Sequence, residues 1–373
     1  MRGRIDLGRG DRMKRIREAG LALALCAGFA ALLLLPEETA AAVTEGLRLC
    51  VSVLIPALFP FFICVNLAAK LGLTARLARL LAPALGQLLH ISGAGGSALL
   101  LGALGGYPSG AQCVAALRSS GQLSSQEAEY LLLFCNNAGP AYLFGVVGGV
   151  LCGSPALAVL LWAFHLLSAL AVGLLHRPKA GSCTTELPPL PQPETGAFLA
   201  SVQEAGQTLF QITALVTAFS VLSRLLTLAA SALLPSAACA LLIGMLELSG
   251  GMNALCALAL PLRWKLTTAS FLLGFGGLCV RMQTRAVLAP AGLTGRGMLA
   301  AKLTQGLIAA ALTFLACTLR PVEAVQTAST SLLSAYLYSQ AAVCTGFCLC
   351  CRKIRLEIPA RILYNSRKQT REG

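Results

Sequence analysis

Long apolar stretches recur along the chain and alternate with short polar segments. The clearest of them approach or exceed the roughly 20 residues that an α-helix needs to cross a bilayer. They are Ala19–Leu35, Leu47–Ala69, Tyr130–Val150, Ala156–Leu175, Gly206–Ala230, Met298–Leu319 and Leu332–Cys351. A helix satisfies its own backbone hydrogen bonds in lipid. The pattern therefore predicts an all-α polytopic membrane protein with about seven or eight transmembrane helices.

Composition and charge agree with this prediction. Hydrophobic residues make up 56% of the 373 residues and charged residues only 12%, whereas soluble domains carry roughly 25% charged residues. The formal net charge of +14 would suit nucleic acid, but the basic residues crowd into the segments 1–18 and 352–373. Basic tails beside apolar spans set membrane topology and contact anionic headgroups. We therefore expect a multi-pass protein of the cell membrane, with the lipid bilayer as a partner and no nucleic acid.

The first apolar stretch leaves two alternatives. It follows a basic region and precedes Ala40-Ala41-Ala42, as a cleaved signal peptide would. However, Pro36-Glu37-Glu38 intervenes and many further spans follow. We therefore favour a retained first transmembrane helix.

The chemically reactive residues give no sign of a metal or a cofactor. Many of the 15 cysteines lie inside apolar stretches, where free cysteine packs as a small hydrophobic residue. The histidines His90, His165 and His176 are not at metal-ligand spacing. No Ser/His/Asp set or carboxylate pair occurs at a plausible spacing. We predict no metal, no cofactor, no disulfide framework and no enzyme activity.

One polar, proline-rich segment divides the apolar chain into two halves of similar size. It begins at Arg177-Pro178-Lys179, and its composition favours an extended, solvated linker. The predicted organisation follows from this division. It comprises a basic cytoplasmic tail (1–18), a first transmembrane helix and loop (19–43), a first repeat (44–176), the linker (177–200), a second repeat (201–320), a last transmembrane helix (321–351) and a basic tail (352–373).

The two halves carry similar glycine patterns. Aligning Gly105-Gly106 with Gly276-Gly277 pairs Gln112 with Gln283 at the same offset. Alanine and leucine matches are common in apolar sequence, but paired glycines followed by glutamine at a fixed distance are less so. The pattern predicts an internal duplication of the chain.

Glycine and proline interrupt the apolar sequence near 93–120. The segment Gly105-Gly106-Tyr107-Pro108-Ser109-Gly110 cannot continue a helix, and each flanking arm is too short to span a bilayer. We predict a re-entrant hairpin of two half-helices, because broken backbone at membrane depth must be buried in protein or line a wet cavity. A second hairpin is expected near 265–290, around Gly276-Gly277.

Polar residues also interrupt the apolar stretch Tyr130–Val150. The segment Cys135-Asn136-Asn137-Ala138-Gly139-Pro140 places two amides, a glycine and a proline at its middle. A proline kink with polar helix–helix contacts is one interpretation. Because two broken elements are adjacent in sequence, we favour a substrate or ion site.

Arg281 and Glu247 are isolated charges in apolar surroundings. An arginine within an intramembrane hairpin is costly and marks a pathway or a bound anion. An equal alternative is a helix end from which Arg281 and Arg285 reach toward the headgroups. Glu247 could bind a proton, a cation or an arginine.

Three motifs in this chain resemble one family: Leu58-Phe59-Pro60-Phe61-Phe62, the turn Gly105–Ala111 and the break Cys135–Pro140. Together they resemble the sporulation integral membrane proteins of the YlbJ type, within the nucleoside-recognition, or Gate, domain superfamily of spore-forming bacteria. The similarity extends over Glu45–Leu319. The superfamily in turn resembles concentrative nucleoside transporters, whose hairpins and broken helices form inverted repeats around a central site.

This resemblance implies a transporter-like protein of spore maturation, in the cell membrane or the forespore membrane, that moves a small organic anion such as dipicolinate. Half-helix N-termini and an arginine suit carboxylates. A nucleoside carrier and a non-transporting sporulation scaffold are the alternatives, and a homo-oligomer is compatible with either. The candidate substrate-binding residues are Gly105, Gly106, Tyr107, Pro108, Ser109, Gly110, Gln112, Asn136, Asn137, Gly139, Glu247, Gly276, Gly277, Arg281 and Gln283.

The number of crossings between the two hairpins leaves the orientation of the repeats open. Three crossings between the hairpins would make the repeats inverted, but they would leave the basic C-terminal tail outside. These three are Tyr130–Val150, Ala156–Leu175 and Gly206–Ala230. An extra crossing within Ser231–Leu262 would satisfy the positive-inside rule and make the repeats parallel. We prefer inversion because the resemblance implies it.

The same pattern predicts the side on which the linker lies. We expect Arg177–Glu194 to face the cytoplasm, because two crossings precede the first hairpin, two follow it, and the basic residues agree. The measurement is labelling of single probe cysteines with an impermeant reagent in intact cells, in a background without accessible native cysteines. Labelling of the linker from outside would contradict this topology, and a probe in the C-terminal tail decides between inverted and parallel repeats.

Overall fold

The computed structural model describes residues 5–152, 155–178 and 196–319. These residues form helices joined by turns and short extended segments, with no β-strand among them. The all-α prediction is therefore confirmed for this part of the chain. The expected last span Leu332–Cys351, the tail 352–373 and most of the linker lie outside the described residues.

The α-helices are numbered in chain order. They are α1 (Ile5–Leu34), α2 (Pro36–Leu49), α3 (Ile55–Lys70), α4 (Leu73–Leu89), α5 (Gly93–Gly105), α6 (Ser109–Ser119), α7 (Ser125–Leu132), α8 (Pro155–Leu175), α9 (Ala197–Ala230), α10 (Ser236–Leu246), α11 (Leu248–Ala257), α12 (Leu262–Phe275), α13 (Gly277–Leu288) and α14 (Met298–Leu319). The other helical segments are π-helices at Cys50–Leu54 and Ala141–Cys152 and a 3₁₀ turn at Ala289–Ala291.

Of the six predicted spans that fall within the described residues, five form helices long and apolar enough to cross a membrane. Among the described residues there are 5, or up to 6 if α4 and α5, which are bent by 99°, form one broken span. The five are Arg12–Leu34, Pro36–Lys70, Ala156–Leu175, Ala197–Ala230 and Met298–Leu319. The predicted span Tyr130–Val150 is instead divided into α7, an extended segment at 136–139 and a π-helix. Glycine and proline at this point interrupt the helical hydrogen bonds.

The first helix begins earlier than predicted. It starts at Ile5, within the segment interpreted as a basic tail, and runs to Leu34. Pro36 then begins α2, because proline disfavours the α conformation in the preceding residue and suits the first helical position. The apolar side chains of Leu23 and Phe29 are exposed, as suits a helix whose surroundings are lipid.

At the first predicted hairpin, α5 and α6 fold back on each other. Gly106 adopts a positive φ of 77° in the turn between them, a conformation that glycine takes without steric cost. Near the turn the two helices approach so closely that a Cβ on Gly110 would lie 2.9 Å from the Cα of Gly102. The glycines predicted to break the helix therefore also allow its two arms to pack together.

A second pair of short helices folds back at Glu247. Gly251 of α11 lies so close to Gly244 of α10 that a Cβ on Gly251 would overlap the backbone of Gly244. The segment Ser231–Leu262, considered above as an extra crossing, therefore contains two short helices joined by a sharp bend.

The segment 265–290 breaks where the sequence predicts but differs in form from a packed hairpin. Gly276 separates α12 from α13 and adopts the left-handed conformation at φ 81°. The two arms differ in their main neighbours: α12 lies against α14 and α8, whereas α13 lies against α6 and α9.

Helix α14 packs along α12 through small and hydroxylated residues. A Cβ on Gly274 would lie 2.6 Å from the Cα of Gly306, and the Thr313 hydroxyl donates a hydrogen bond to the Ser270 hydroxyl at 2.8 Å. Small residues of this kind permit close approach of helices in membranes. The contact between Gly274 and Gly306 thus sets the distance between α12 and α14.

Gly102→Ala should destabilise the protein, because the added methyl group would overlap the carbonyl oxygen of Cys135. Overpacking a filled interior costs roughly 1–3 kcal/mol, so we expect a lower midpoint of thermal unfolding for the purified protein in detergent. Gly206→Ala in α9 is the control, because no atom lies within 4 Å of its added methyl group. Equal midpoints for the two variants would contradict the close packing of α5 against the Cys135 carbonyl.

Candidate functional site

The helix breaks meet at the turn between α5 and α6. The Tyr107 hydroxyl donates a hydrogen bond to the carbonyl of Leu273 at 3.2 Å, and a Cβ on Gly276 would lie 2.9 Å from the same hydroxyl oxygen. The turn also touches the extended segment, because a Cβ on Gly106 would lie 2.8 Å from the amide nitrogen of Gly139. The fold thus brings together three breaks that are far apart in sequence.

Asn136 and Asn137 lie in the extended segment and are each 1% exposed. The Asn136 side-chain nitrogen donates to the Thr284 hydroxyl at 2.9 Å, and that of Asn137 donates to the carbonyl of Phe134 at 2.7 Å. Backbone carbonyls at a helix break have no partner within the helix. When buried, they need donors from neighbouring elements.

Lys302 of α14 supplies donors to this segment. Its Nζ donates to the Asn136 carbonyl at 2.5 Å, to Gln305 Oε1 at 2.8 Å and to Asn137 Oδ1 at 3.3 Å. Gln305 in turn donates to Asn137 Oδ1 at 2.9 Å, and its spacing of three residues places it beside Lys302 on one helix face. Lys302 is only 6% exposed, and no carboxylate of the described residues neutralises its charge.

His165 of α8 joins the same network. Its Nε2 accepts a hydrogen bond from the Ala138 amide at 3.0 Å, which assigns the ring proton to Nδ1. Its backbone carbonyl accepts from the Gln305 side chain at 3.3 Å and from the Ser168 hydroxyl at 2.8 Å. Nδ1 is buried and has no hydrogen-bond partner in the described part of the chain. A ligand or a water molecule would satisfy such a group.

Four residues of the site were not predicted from the sequence: Lys302, Gln305, His165 and Thr284. For Lys302 a signal exists, because it lies within the predicted span Met298–Leu319 and ionisable residues inside spans are costly and functional. The hydrogen bonds of the other three to the extended segment join residues that are far apart in sequence. Local spacing therefore gives no indication of them.

A small cavity lies between the turn, α13 and α14. We call it the basic cavity, because Lys302 and Arg281 line it and no described acidic residue does. Arg281 is partly exposed, but its Nη1 is buried and has no hydrogen-bond partner among the described residues. Lys302 Nζ lies 5.7 Å from the centroid of the Tyr107 ring, within the range of a cation–π interaction. The basic cavity therefore combines two cationic side chains with one unpartnered donor.

A larger cavity shares Tyr107 and Val280 with the basic cavity. We call it the apolar cavity, because leucine, isoleucine, valine and phenylalanine side chains form much of its wall. Polar groups enter it from Tyr142, Glu247 and Gln283. Apolar walls with a few convergent polar groups are typical of small-molecule sites.

Glu247 caps the N-terminus of α11. Its carboxylate accepts hydrogen bonds from the amides of Ser249 at 2.9 Å and Gly250 at 2.5 Å, and the residue is 3% exposed. A carboxylate is favourable at this end of a helix because free N–H groups and the helix dipole face it. Among the described residues its partners are thus backbone amides, and it forms no ion pair with Arg281.

The sequence-predicted site residues divide into three groups. Those that line the apolar cavity are Gly105, Gly106, Tyr107, Gly139, Glu247 and Gln283. Those that line the basic cavity are Tyr107, Asn136, Gly277 and Arg281. Those that line neither of these cavities are Pro108, Ser109, Gly110, Gln112, Asn137 and Gly276. Asn137 nevertheless belongs to the Lys302 network, and Gly276 contacts Tyr107.

The long apolar helices around a buried polar centre define a multi-pass membrane protein. The chain is 29% identical over 312 residues to the sporulation integral membrane protein YlbJ of Bacillus subtilis (strain 168), which covers 74% of this chain and 76% of that protein. This similarity supports the resemblance to YlbJ-type proteins that the sequence motifs indicate. No protein-family model matches the chain, and no solved structure matches it.

Gln305→Leu should destabilise the protein, because Asn137 Oδ1 would lose its 2.9 Å donor and Lys302 would lose an acceptor. Leaving a buried polar group unsatisfied costs about 1–3 kcal/mol. Thermal unfolding in detergent measures the effect, and Gln207→Leu, at an exposed position of α9, is the matched control. The network is refuted if the two variants unfold at the same temperature.

Proposed function

We propose that this protein is a transporter-like membrane protein of spore maturation that carries a small organic anion, with dipicolinate as the candidate substrate. The observation that carries this proposal is the basic cavity, where Lys302 and Arg281 meet no acidic residue of the described chain. The name of the similar Bacillus subtilis protein refers to sporulation and supports the assignment to spore maturation.

The cost of the two cations supports an anionic ligand. A charged side chain at the centre of a bilayer is unfavourable by roughly 3 kcal/mol on insertion scales. Lys302 is held by uncharged acceptors, and Arg281 Nη1 has no partner among the described residues. Glu247, the candidate partner within the chain, is bound by backbone amides instead. A bound carboxylate would offset the cost, because a guanidinium group can bind it through two parallel hydrogen bonds.

The meeting of the helix breaks supports a carrier more than a scaffold. In transporters built from repeats, the binding site lies near the midplane, where interrupted helices meet. Gly105-Gly106 and Gly276-Gly277, which the internal alignment pairs, lie on the two breaks that Tyr107 connects. We propose accordingly that the breaks are re-entrant, that the repeats are inverted, and that the protein is not an enzyme. A scaffold would have no need for buried broken backbone beside unneutralised cations.

Arg281→Lys should weaken anion uptake about tenfold or more, because the charge is kept but one of the two parallel hydrogen bonds, of roughly 1.5–3 kcal/mol, is lost. The measurement is uptake by the purified protein in liposomes, with dipicolinate, succinate and a nucleoside as separate substrates. Arg285→Lys, an exposed arginine one turn further along α13, is the matched control and should transport normally.

Full dicarboxylate uptake by Arg281→Ala would show that Arg281 does not bind the substrate. If the wild-type protein takes up nucleosides alone, it is a nucleoside carrier and the proposal of an anion carrier is wrong. A wild-type protein that moves none of these substrates would favour the scaffold.

A further inference from the structure

A third cavity lies on the other side of Glu247. It lies beside α2, α9 and α11, and we call it the vestibule. Glu247 lines both the vestibule and the apolar cavity, just as Tyr107 lines both the apolar and the basic cavity. The three cavities are therefore arranged in series, with one of these side chains at each boundary.

The charged groups that line the vestibule have partners other than Glu247. Glu45 pairs with Arg48 at 3.1 Å, and Arg224 pairs with Glu38 at 2.6 Å. Both pairs lie at exposed or half-exposed positions. The vestibule thus supplies no cation that neutralises the Glu247 carboxylate.

The other elements around Glu247 supply no neutralising cation either. Titratable groups that interact electrostatically with Glu247 include the thiols of Cys50 and Cys279 and the phenol of Tyr142, and none of these is a cation. From α12, Lys265 donates to a backbone carbonyl at the far end of α11, at 2.8 Å. Within the described residues, the carboxylate at the boundary between the two cavities is therefore bound by the backbone amides of Ser249 and Gly250 and by the Ser249 side chain, all of them uncharged groups.

An ionised carboxylate at this boundary opposes the passage of an anion. Like charges repel strongly where the wall is apolar and water is excluded. Protonation removes the charge, and the carbonyl oxygen of the resulting carboxylic acid still accepts a hydrogen bond from α11. An anion that moves from the vestibule to the apolar cavity would therefore pass Glu247 most readily when that residue carries a proton.

We propose that Glu247 is a proton-coupling site, so that one proton crosses the membrane in the same direction as each transported anion. An O–H bond forms when the carboxylate takes a proton from water in the vestibule, and the same bond breaks when water on the far side accepts the proton. No other reactant is needed. This inference rests on the proposed anion transport and specifies how that transport is driven.

The test uses the full-length protein in liposomes, with dipicolinate as the probe and the membrane potential clamped by potassium and valinomycin. An inside-alkaline gradient of one pH unit should raise dipicolinate accumulation about tenfold. A pH indicator inside the liposomes should report acidification when dipicolinate is added outside. Glu247→Gln should lose both responses, because its side chain has no proton to exchange in this pH range.

Two further variants control this test. Glu204→Gln makes the same change in a half-exposed residue that pairs with Lys70, and it should behave as the wild type. Glu247→Asp keeps a titratable carboxyl group and should retain coupling, even if Glu247→Gln fails to fold. Loss of proton movement from Glu247→Asp while uptake stays at the wild-type level would overturn the assignment.

The outcomes separate this inference from the function on which it rests. Wild-type uptake without stimulation by the gradient and without acidification would refute proton coupling and leave anion transport standing. Coupling that persists in Glu247→Gln would place the coupling site elsewhere. Wild-type protein that neither takes up nor exchanges any tested anion would refute the proposed function, and proton coupling with it.

Discussion

The hydrogen bond from the Lys302 ammonium to the Asn136 carbonyl joins α14 to the segment at 136–139, and the other polar contacts at the centre of the protein are built around it. The extended segment at 136–139 leaves backbone groups without helical partners in apolar surroundings, where each unsatisfied group would cost several kcal/mol. A donor must therefore come from another helix, and α14 provides it. The close approach of Gly274 and Gly306 sets how near that helix can lie.

Other parts of the centre depend on this contact. Gln305 lies one turn beyond Lys302 and binds both the Asn137 side chain and the His165 carbonyl, so that α8 is attached to the same network. Tyr107 packs beside the Lys302 ammonium and donates to Leu273, which connects the α5–α6 turn to α12. The buried cation thus helps to fix the relative positions of these elements, together with the hydrogen bonds from Ala138 to His165 and from Thr313 to Ser270.

The helix breaks can be predicted from sequence because glycine and proline act on the backbone at their own positions. Gly106, Pro140 and Gly276 lie at or beside breaks in the structure. What the arms of each break pack against cannot be predicted in the same way. The fold-back at Glu247 depends on contact between Gly244 and Gly251, which becomes visible only when both helices are placed.

The candidate site was predictable to a similar extent. Arg281 and Glu247 stand out because an isolated charge in an apolar stretch is costly wherever the chain folds. By contrast, neither their surroundings nor their partners follow from local sequence. The same argument from cost applies to Lys302, but the role of His165 depends on the amide of Ala138, which the broken segment exposes.

Lys302 and Arg281 both bring a positive charge to the basic cavity, but they differ in their hydrogen bonds. Lys302 already donates to acceptors within the protein, whereas Arg281 Nη1 has no partner among the described residues. A ligand that drew the Lys302 ammonium away would leave the Asn136 carbonyl and Gln305 without their partner. Arg281 has a buried nitrogen with no hydrogen-bond partner among the described residues, so it gives up no such bond when it binds a ligand. An anion therefore gains most by contacting the guanidinium directly, while Lys302 contributes through its electric field. Because the charge that stabilises the broken segment also favours the anion, a neutral residue at position 302 would weaken the fold and the site together.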